Sequence, residues 1–128
     1  MRHLLDSHTL LWYTLGDPQL SETARALILD PANEIFISPA TYWEIAIKVS
    51  IGKLNLHQPY EDFIEACMNK YGFIILPIDP MHTARVIGLP FHHRDPFDRL
   101  LVAQALAEGM SIISNDPALD AYEITRHW

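Results

Sequence analysis

The chain has 128 residues, 49% of them hydrophobic and 20% charged, a composition that suits one globular domain and excludes a disordered chain. Nine Lys and Arg against 16 Asp and Glu give a net charge of −7, which excludes nucleic-acid binding through a broad basic surface. Cys67 is the only cysteine, so neither an intrachain disulfide nor a multi-cysteine zinc site is available, and a reducing, cytoplasmic setting is expected. No uncharged stretch approaches the roughly 20 residues that cross a bilayer. Asp6 interrupts the first apolar run, so neither a membrane span nor an export signal is expected.

In chain order, residues 3–6 read as a short buried strand ending in an acid, and 7–15 as a helix stopped by Gly16-Asp17-Pro18. Ser21 is placed to cap a helix running to about residue 29. Residues 30–33 form a turn, and the β-formers of 34–38 a second strand. Ser38 followed by Pro39 has the form of an N-cap with proline at the first helical position, opening a helix over 39–51 that Gly52 ends. A helix over 59–70 and a strand over 73–78 follow. Asp79-Pro80 opens a helix to about residue 87, and Asp95-Pro96 a longer one to 108, stopped by Gly109. Residues 111–114 read as a fourth strand and 122–125 as a fifth. Strands alternating with helices, with near-continuous apolar runs in the strands, predict an α/β fold with a parallel sheet covered on both faces. Sites in such sheets form beyond the carboxyl ends of the strands. Asp6 and Asp116 are both expected at that edge.

Four acids stand out: Asp6, Glu44, Asp98 and Asp116. Each also has a local explanation. Asp6 can cap the helix that begins at Ser7. Glu44 can pair with Lys48 at i,i+4 on a solvated face. Asp98 suits the positive end of a helix dipole and a capping box with Asp95. Asp116 precedes Pro117 and can start a turn. Together they say more, because two follow strands and two lie on helices beside those strands. Hard divalent cations take oxygen ligands, and Mg²⁺ combines a few carboxylates with water. The adjacent His92 and His93 do not share a face of a strand or helix, which argues against a histidine-based metal site. Trp12, Tyr42 and Trp43 offer rings for base stacking, but aromatic side chains at helical spacing are more often core.

Four segments resemble PIN domains of the VapC-like kind. Leu4-Leu5-Asp6-Ser7-His8-Thr9-Leu10-Leu11-Trp12 is similar to the opening strand and helix. Ile37 to Lys48, with its WEIAIK run, is similar to a family helix. His93-Arg94-Asp95-Pro96-Phe97-Asp98-Arg99-Leu100-Leu101-Val102-Ala103-Gln104-Ala105 follows a family segment almost letter for letter, and Ser114-Asn115-Asp116 stands at the final T-x-D signature. The resemblance implies a PIN-like three-layer sandwich and a metal-dependent endoribonuclease. Asp6, Glu44, Asp98 and Asp116 would hold Mg²⁺ or Mn²⁺, with Asp95 and Ser114 as auxiliary groups. Hydrolysis of an RNA phosphodiester would leave a 5′-phosphate and a 3′-hydroxyl. It also implies a cognate antitoxin protein and a homodimer. Lys48, Arg94 and Arg99 stand near these acids in sequence and are candidates for phosphate contact, with helix-surface ion pairs as the competing role.

Two other readings are available. A Mg²⁺-binding receiver-like domain would need paired acids after the first strand and a lysine late in the chain, whereas Asp6 stands alone and no lysine follows Lys70. A non-catalytic PIN-like binding module is opposed by the presence of all four acids.

Overall fold

The computed structural model describes residues 1–128. Five strands form one all-parallel sheet: β1 (Arg2–Leu5), β2 (Glu34–Ile37), β3 (Ile74–Ile75), β4 (Ser111–Ile113) and β5 (Arg126–His127), in the spatial order β3-β2-β1-β4-β5. Six helices connect them: α1 (Ser7–Leu15), α2 (Glu22–Leu29), α3 (Pro39–Ser50), α4 (Tyr60–Glu65), α5 (Pro80–Ile87) and α6 (Pro96–Glu108). The helix starts follow the expected chemistry. Asp6, Ser21, Ser38, Asp79 and Asp95 each accept a backbone N–H of the first turn, and proline follows the cap in α3, α5 and α6. Gly16 and Gly109 end α1 and α6 in the left-handed conformation, at φ of 67° and 65°.

Alternate strand residues face opposite sides of the sheet, and two cores result. Leu5, Ile35, Ile37 and Ile113 meet Leu10, Ile45, Phe63 and Phe73 on one face. Leu4 and Ile112 meet Leu76, Leu101, Val102 and Leu119 on the other. This is the three-layer sandwich that the alternation of elements predicts.

Three elements differ from expectation. The helix read over 59–70 changes after Glu65 into a wider turn over Ala66–Lys70, where Tyr71 N–H donates to Ala66 O at 3.0 Å. The third strand shrinks from 73–78 to Ile74–Ile75, because Phe73 N–H donates to Cys67 O and Pro77 has no N–H to pair. The fifth strand begins later than read. Tyr122 N–H closes a 3₁₀ turn on Leu119 O, and pairing starts with the Thr125 carbonyl, which accepts from Ile112 N–H at 2.9 Å.

His3 is fully buried beside Ser111 Oγ, 2.5 Å from its Nδ1, and its ring meets that of His127 edge-on. Burial, then the nearby His127 and the N-terminal amine, hold His3 below the usual histidine pKa. The unfolded chain therefore takes up a proton at His3 before the folded chain does. Stability present above about pH 6.5 is lost as pH falls below it. Urea denaturation between pH 7.5 and 5 should show a shallower loss for His3→Gln than for the wild type.

Candidate metal centre

Asp6 and Ser114 are placed by the sheet itself. Leu5 pairs with Ile113 across β1 and β4, so the next residue of each strand emerges at the same edge. From β1 the chain first builds one side of the sheet through β2 and β3, then returns to lay β4 and β5 on the other. The gap between β1 and β4 is thus the topological switch point, where open α/β sheets carry their sites. Asp6 is 5% exposed. Its Oδ1 accepts Thr9 N–H at 3.0 Å, and its Oδ2 accepts the Ser114 hydroxyl at 2.5 Å. Ser114 Oγ in turn accepts Asp116 N–H at 3.0 Å, so one buried hydroxyl ties the two strand-end acids together.

The other acids arrive on helices. α3 packs against both α1 and α6, which brings Glu44 and Asp98 to this edge. One ligand atom from each of Asp98, Asp116 and His93 lies within 4.8 Å of the other two. Asp6 and Glu44 lie outside that spacing, but their charges reach Asp98. Burial, then the neighbouring Asp95 and Asp6, push the Asp98 carboxyl up to about 7; His93 opposes this and Glu44 adds to it. Asp116 moves the other way. Its partial burial is outweighed by hydrogen bonds from Ala118 N–H and His93 and by the charges of His93 and Arg126, and its carboxyl sits below the usual range.

Among the expected auxiliary and substrate-contacting residues the outcome is mixed. Asp95 is the α6 cap, accepting Phe97 N–H at 2.8 Å, and its charge also acts on Asp98. Lys48 lies 3.3 Å from Glu44, in the expected i,i+4 pair. Lys48 and Arg94 line a cleft with Glu44, Ile47 and Phe97, and Lys53, unremarked in the sequence, joins them there. Arg99 does not fit the expectation. It is 5% exposed, and its guanidinium donates to the carbonyls of Pro90, Val86 and Leu89 and to the Tyr122 hydroxyl, leaving it no access to a phosphate.

One further correction concerns a ring, and one ring has a place that the sequence did not reveal. Trp43 is 63% exposed rather than core, edge-on to Phe97 at 5.4 Å beside Glu44 and Asp98. His93, set aside because it adjoins His92, reaches Asp116 at 2.9 Å and Asp98 at 3.2 Å, while His92 turns to Tyr122. The sequence signal for His93 was its place two residues ahead of the Asp95 cap, which fixes its loop against α6. A larger concavity, of about 560 Å³, opens beside the amino ends of β1 and β4 at Arg2 and Ser111, away from the acids.

With this geometry in view, the chain can be placed among known proteins. Residues 3–124 match the PIN domain family, and the chain belongs to it. It is similar to Ribonuclease VapC16 of Mycobacterium tuberculosis, at 38% identity over 78 residues, covering 59% of this chain but only 55% of that protein. Similarity to Ribonuclease VapC22 of the same organism is lower, 25% over 124 residues, but spans 96% of this chain and 93% of that protein. The fold matches VapBC2 from Rickettsia felis bound to a promoter DNA fragment, with a TM-score of 0.70 at 14% identity, covering 99% of this chain and 98% of that one. FitAcB from Neisseria gonorrhoeae gives 0.67 at 19% identity, covering 98% and 96%. No helix is long and apolar enough to cross a membrane.

Proposed function

We propose that this chain is a divalent-metal-dependent endoribonuclease of the VapC kind, the toxin of a toxin–antitoxin pair. The observation that carries the reading is the convergence of acids at the strand-end edge: ligand atoms of Asp98 and Asp116 lie within 4.8 Å of each other, Ser114 ties Asp6 to Asp116, and Asp95, Asp6 and Glu44 help to raise the Asp98 carboxyl. A protein gains nothing for its fold by crowding carboxylates at a buried edge, and a cation among them relieves the repulsion. The similarity to proteins named ribonucleases and to VapBC complexes supports the same reading.

The donor set fits Mg²⁺ or Mn²⁺, being chiefly carboxylate oxygen. Asp6, Asp98 and Asp116 would hold the ion, with Glu44 completing the site directly or through water. Such an ion supplies a more acidic bound water and neutralises charge on the transferring phosphoryl oxygens. The chain's own residues do the rest. Ser114 fixes the Asp6 carboxylate, the Asp95 cap presents Asp98 from the first turn of α6, and Lys48, Lys53 and Arg94 line the adjoining cleft where phosphates would lie. A cognate antitoxin would block this same edge.

Incubating a mixed RNA pool with Mg²⁺ or Mn²⁺ tests the reading. The wild type should cleave, leaving 5′-phosphate and 3′-hydroxyl ends, and EDTA should stop it. Asp6→Asn keeps the cap acceptor but removes the charge, and should slow cleavage about 100-fold or more. Cleavage that survives both EDTA and Asp6→Asn would rule the site out.

A further inference from the structure

The acids alone do not explain why the loop between α5 and α6 reaches into the site. The Nδ1 of His93 accepts the Asp95 backbone N–H at 3.1 Å. A ring nitrogen that accepts carries no hydrogen, so in the neutral ring Nε2 carries it. That Nε2–H donates to Asp116 Oδ2 at 2.9 Å, while Asp98 Oδ2, from a different part of the chain, lies 3.2 Å from the same nitrogen, off the line of the N–H. Asp116 otherwise uses its Oδ1 for Ala118 N–H at 2.9 Å. His93 is the polar partner of the Asp98 carboxylate, whose own N–H is spent on the Asp95 cap.

The loop is held so that this contact is not accidental. His93 N–H donates to the Tyr122 hydroxyl at 3.0 Å, and that hydroxyl donates to Pro90 O at 3.0 Å. Arg99 clamps Pro90 and Leu89 from beneath. Direct ligation of a metal by Nε2 would require that nitrogen to be bare, placing the proton on Nδ1 head-on against the Asp95 N–H. Donation leaves each carboxylate with lone pairs to spare.

We propose that His93 is a positioning residue: its ring, donating through Nε2–H to Asp116 and lying against Asp98, sets the two acids at the spacing that receives the divalent cation, in a tautomer locked by the Asp95 backbone N–H. The inference rests on the reading of these acids as a metal site. It makes His93 an outer partner of the ligands, a role whose loss characteristically weakens metal binding about 10–100-fold.

The test is calorimetric titration of the full-length protein with Mn²⁺, comparing wild type, His93→Ala and His93→Gln, each checked for native circular dichroism. His93→Ala should bind about 10–100-fold more weakly. His93→Gln, whose amide N–H reaches nearly as far as Nε2–H, should stay within about threefold of wild type. Unchanged or tighter binding by His93→Ala would overturn the proposal, the latter because the ring would then be competing with the cation. Binding by His93→Gln as weak as by His93→Ala would overturn it too. Nitrogen-15 spectra of the wild-type imidazole in EDTA give a metal-independent arm: hydrogen on Nε2 is expected, and hydrogen on Nδ1 would contradict the clamp. A wild type that binds no Mn²⁺ but shows hydrogen on Nε2 would refute the metal site while the clamp between the carboxylates stood.

Discussion

Asp98→Asn should abolish metal-dependent RNA cleavage, by about 100-fold or more, and at the same time make the metal-free protein more stable at pH 8. The two effects share one cause. Folding raises the Asp98 carboxyl to about 7 from an ordinary value of 3.8. A raised acid stabilises the fold fully below its unfolded pKa, and that stability is lost as pH rises through the folded value. At pH 8 the metal-free wild type therefore carries the whole penalty. A shift of this size corresponds to about 4 kcal/mol at most. The penalty is shared among the neighbouring carboxylates, and the Asn variant loses its charged contact with His93, so a net gain of about 1–2 kcal/mol is expected. Urea denaturation in EDTA at pH 8 measures it. With saturating Mn²⁺ the order should reverse, because only the wild type gains binding energy. In EDTA the difference should narrow as pH falls below 7 and close only near the unfolded value of 3.8. An Asn variant less stable than wild type at pH 8 would mean that the His93 contact outweighs the repulsion.

Arg99→Ala should destabilise the protein by about 3 kcal/mol, lowering Tm by roughly 10 °C. The guanidinium donates at 2.8 Å to Pro90 O, 3.2 Å to Val86 O and 3.3 Å to Leu89 O. It also lies over the Phe91 ring at 4.1 Å. Removing it takes the guanidinium donor from the buried Leu89 carbonyl, leaves those of Pro90 and Val86 with one partner fewer, and opens a cavity under the loop that carries His93. Arg99→Lys should recover only part of the loss, since an ammonium cannot span those carbonyls as a planar fork does. Thermal denaturation separates this role from phosphate contact. A variant with native Tm and weakened RNA binding would restore the sequence-based expectation.

Much of this was legible in the residues. The capping pairs Ser38-Pro39, Asp79-Pro80 and Asp95-Pro96 located three helix starts to the residue, because cap chemistry is local. The alternation of elements carried the sheet's parallel character, and the strand-end rule placed Asp6 and Asp116 at one edge. What could not be read was whatever depends on distant partners. Residues 122–125 have strand-like composition, but Tyr122 is committed to the 3₁₀ turn and to Pro90. Arg99 looks like a surface cation one residue after a candidate ligand. Its burial depends on the loop carbonyls that fold over it. Trp43 is apolar and helical, yet it stands exposed, with only the edge contact to the Phe97 ring to cover it. His93 was hidden by His92: the argument that neighbours diverge is sound, and it leaves one of the two free to reach the acids. The densely patterned run from His93 to Arg99 now has a physical account at four positions. His93 donates to Asp116 beside Asp98, Asp95 caps, Asp98 is the raised carboxyl, and Arg99 anchors the loop.

The most direct test of the central claim, that these acids form a metal site, is a Mn²⁺ titration followed by the electron paramagnetic resonance of the free ion. It needs no knowledge of the RNA target. The wild type should deplete free Mn²⁺ with sub-millimolar affinity, and Asp98→Asn should require at least about tenfold more metal for the same depletion. Free Mn²⁺ undiminished by wild-type protein at millimolar concentration, or equal depletion by Asp98→Asn, would contradict the account.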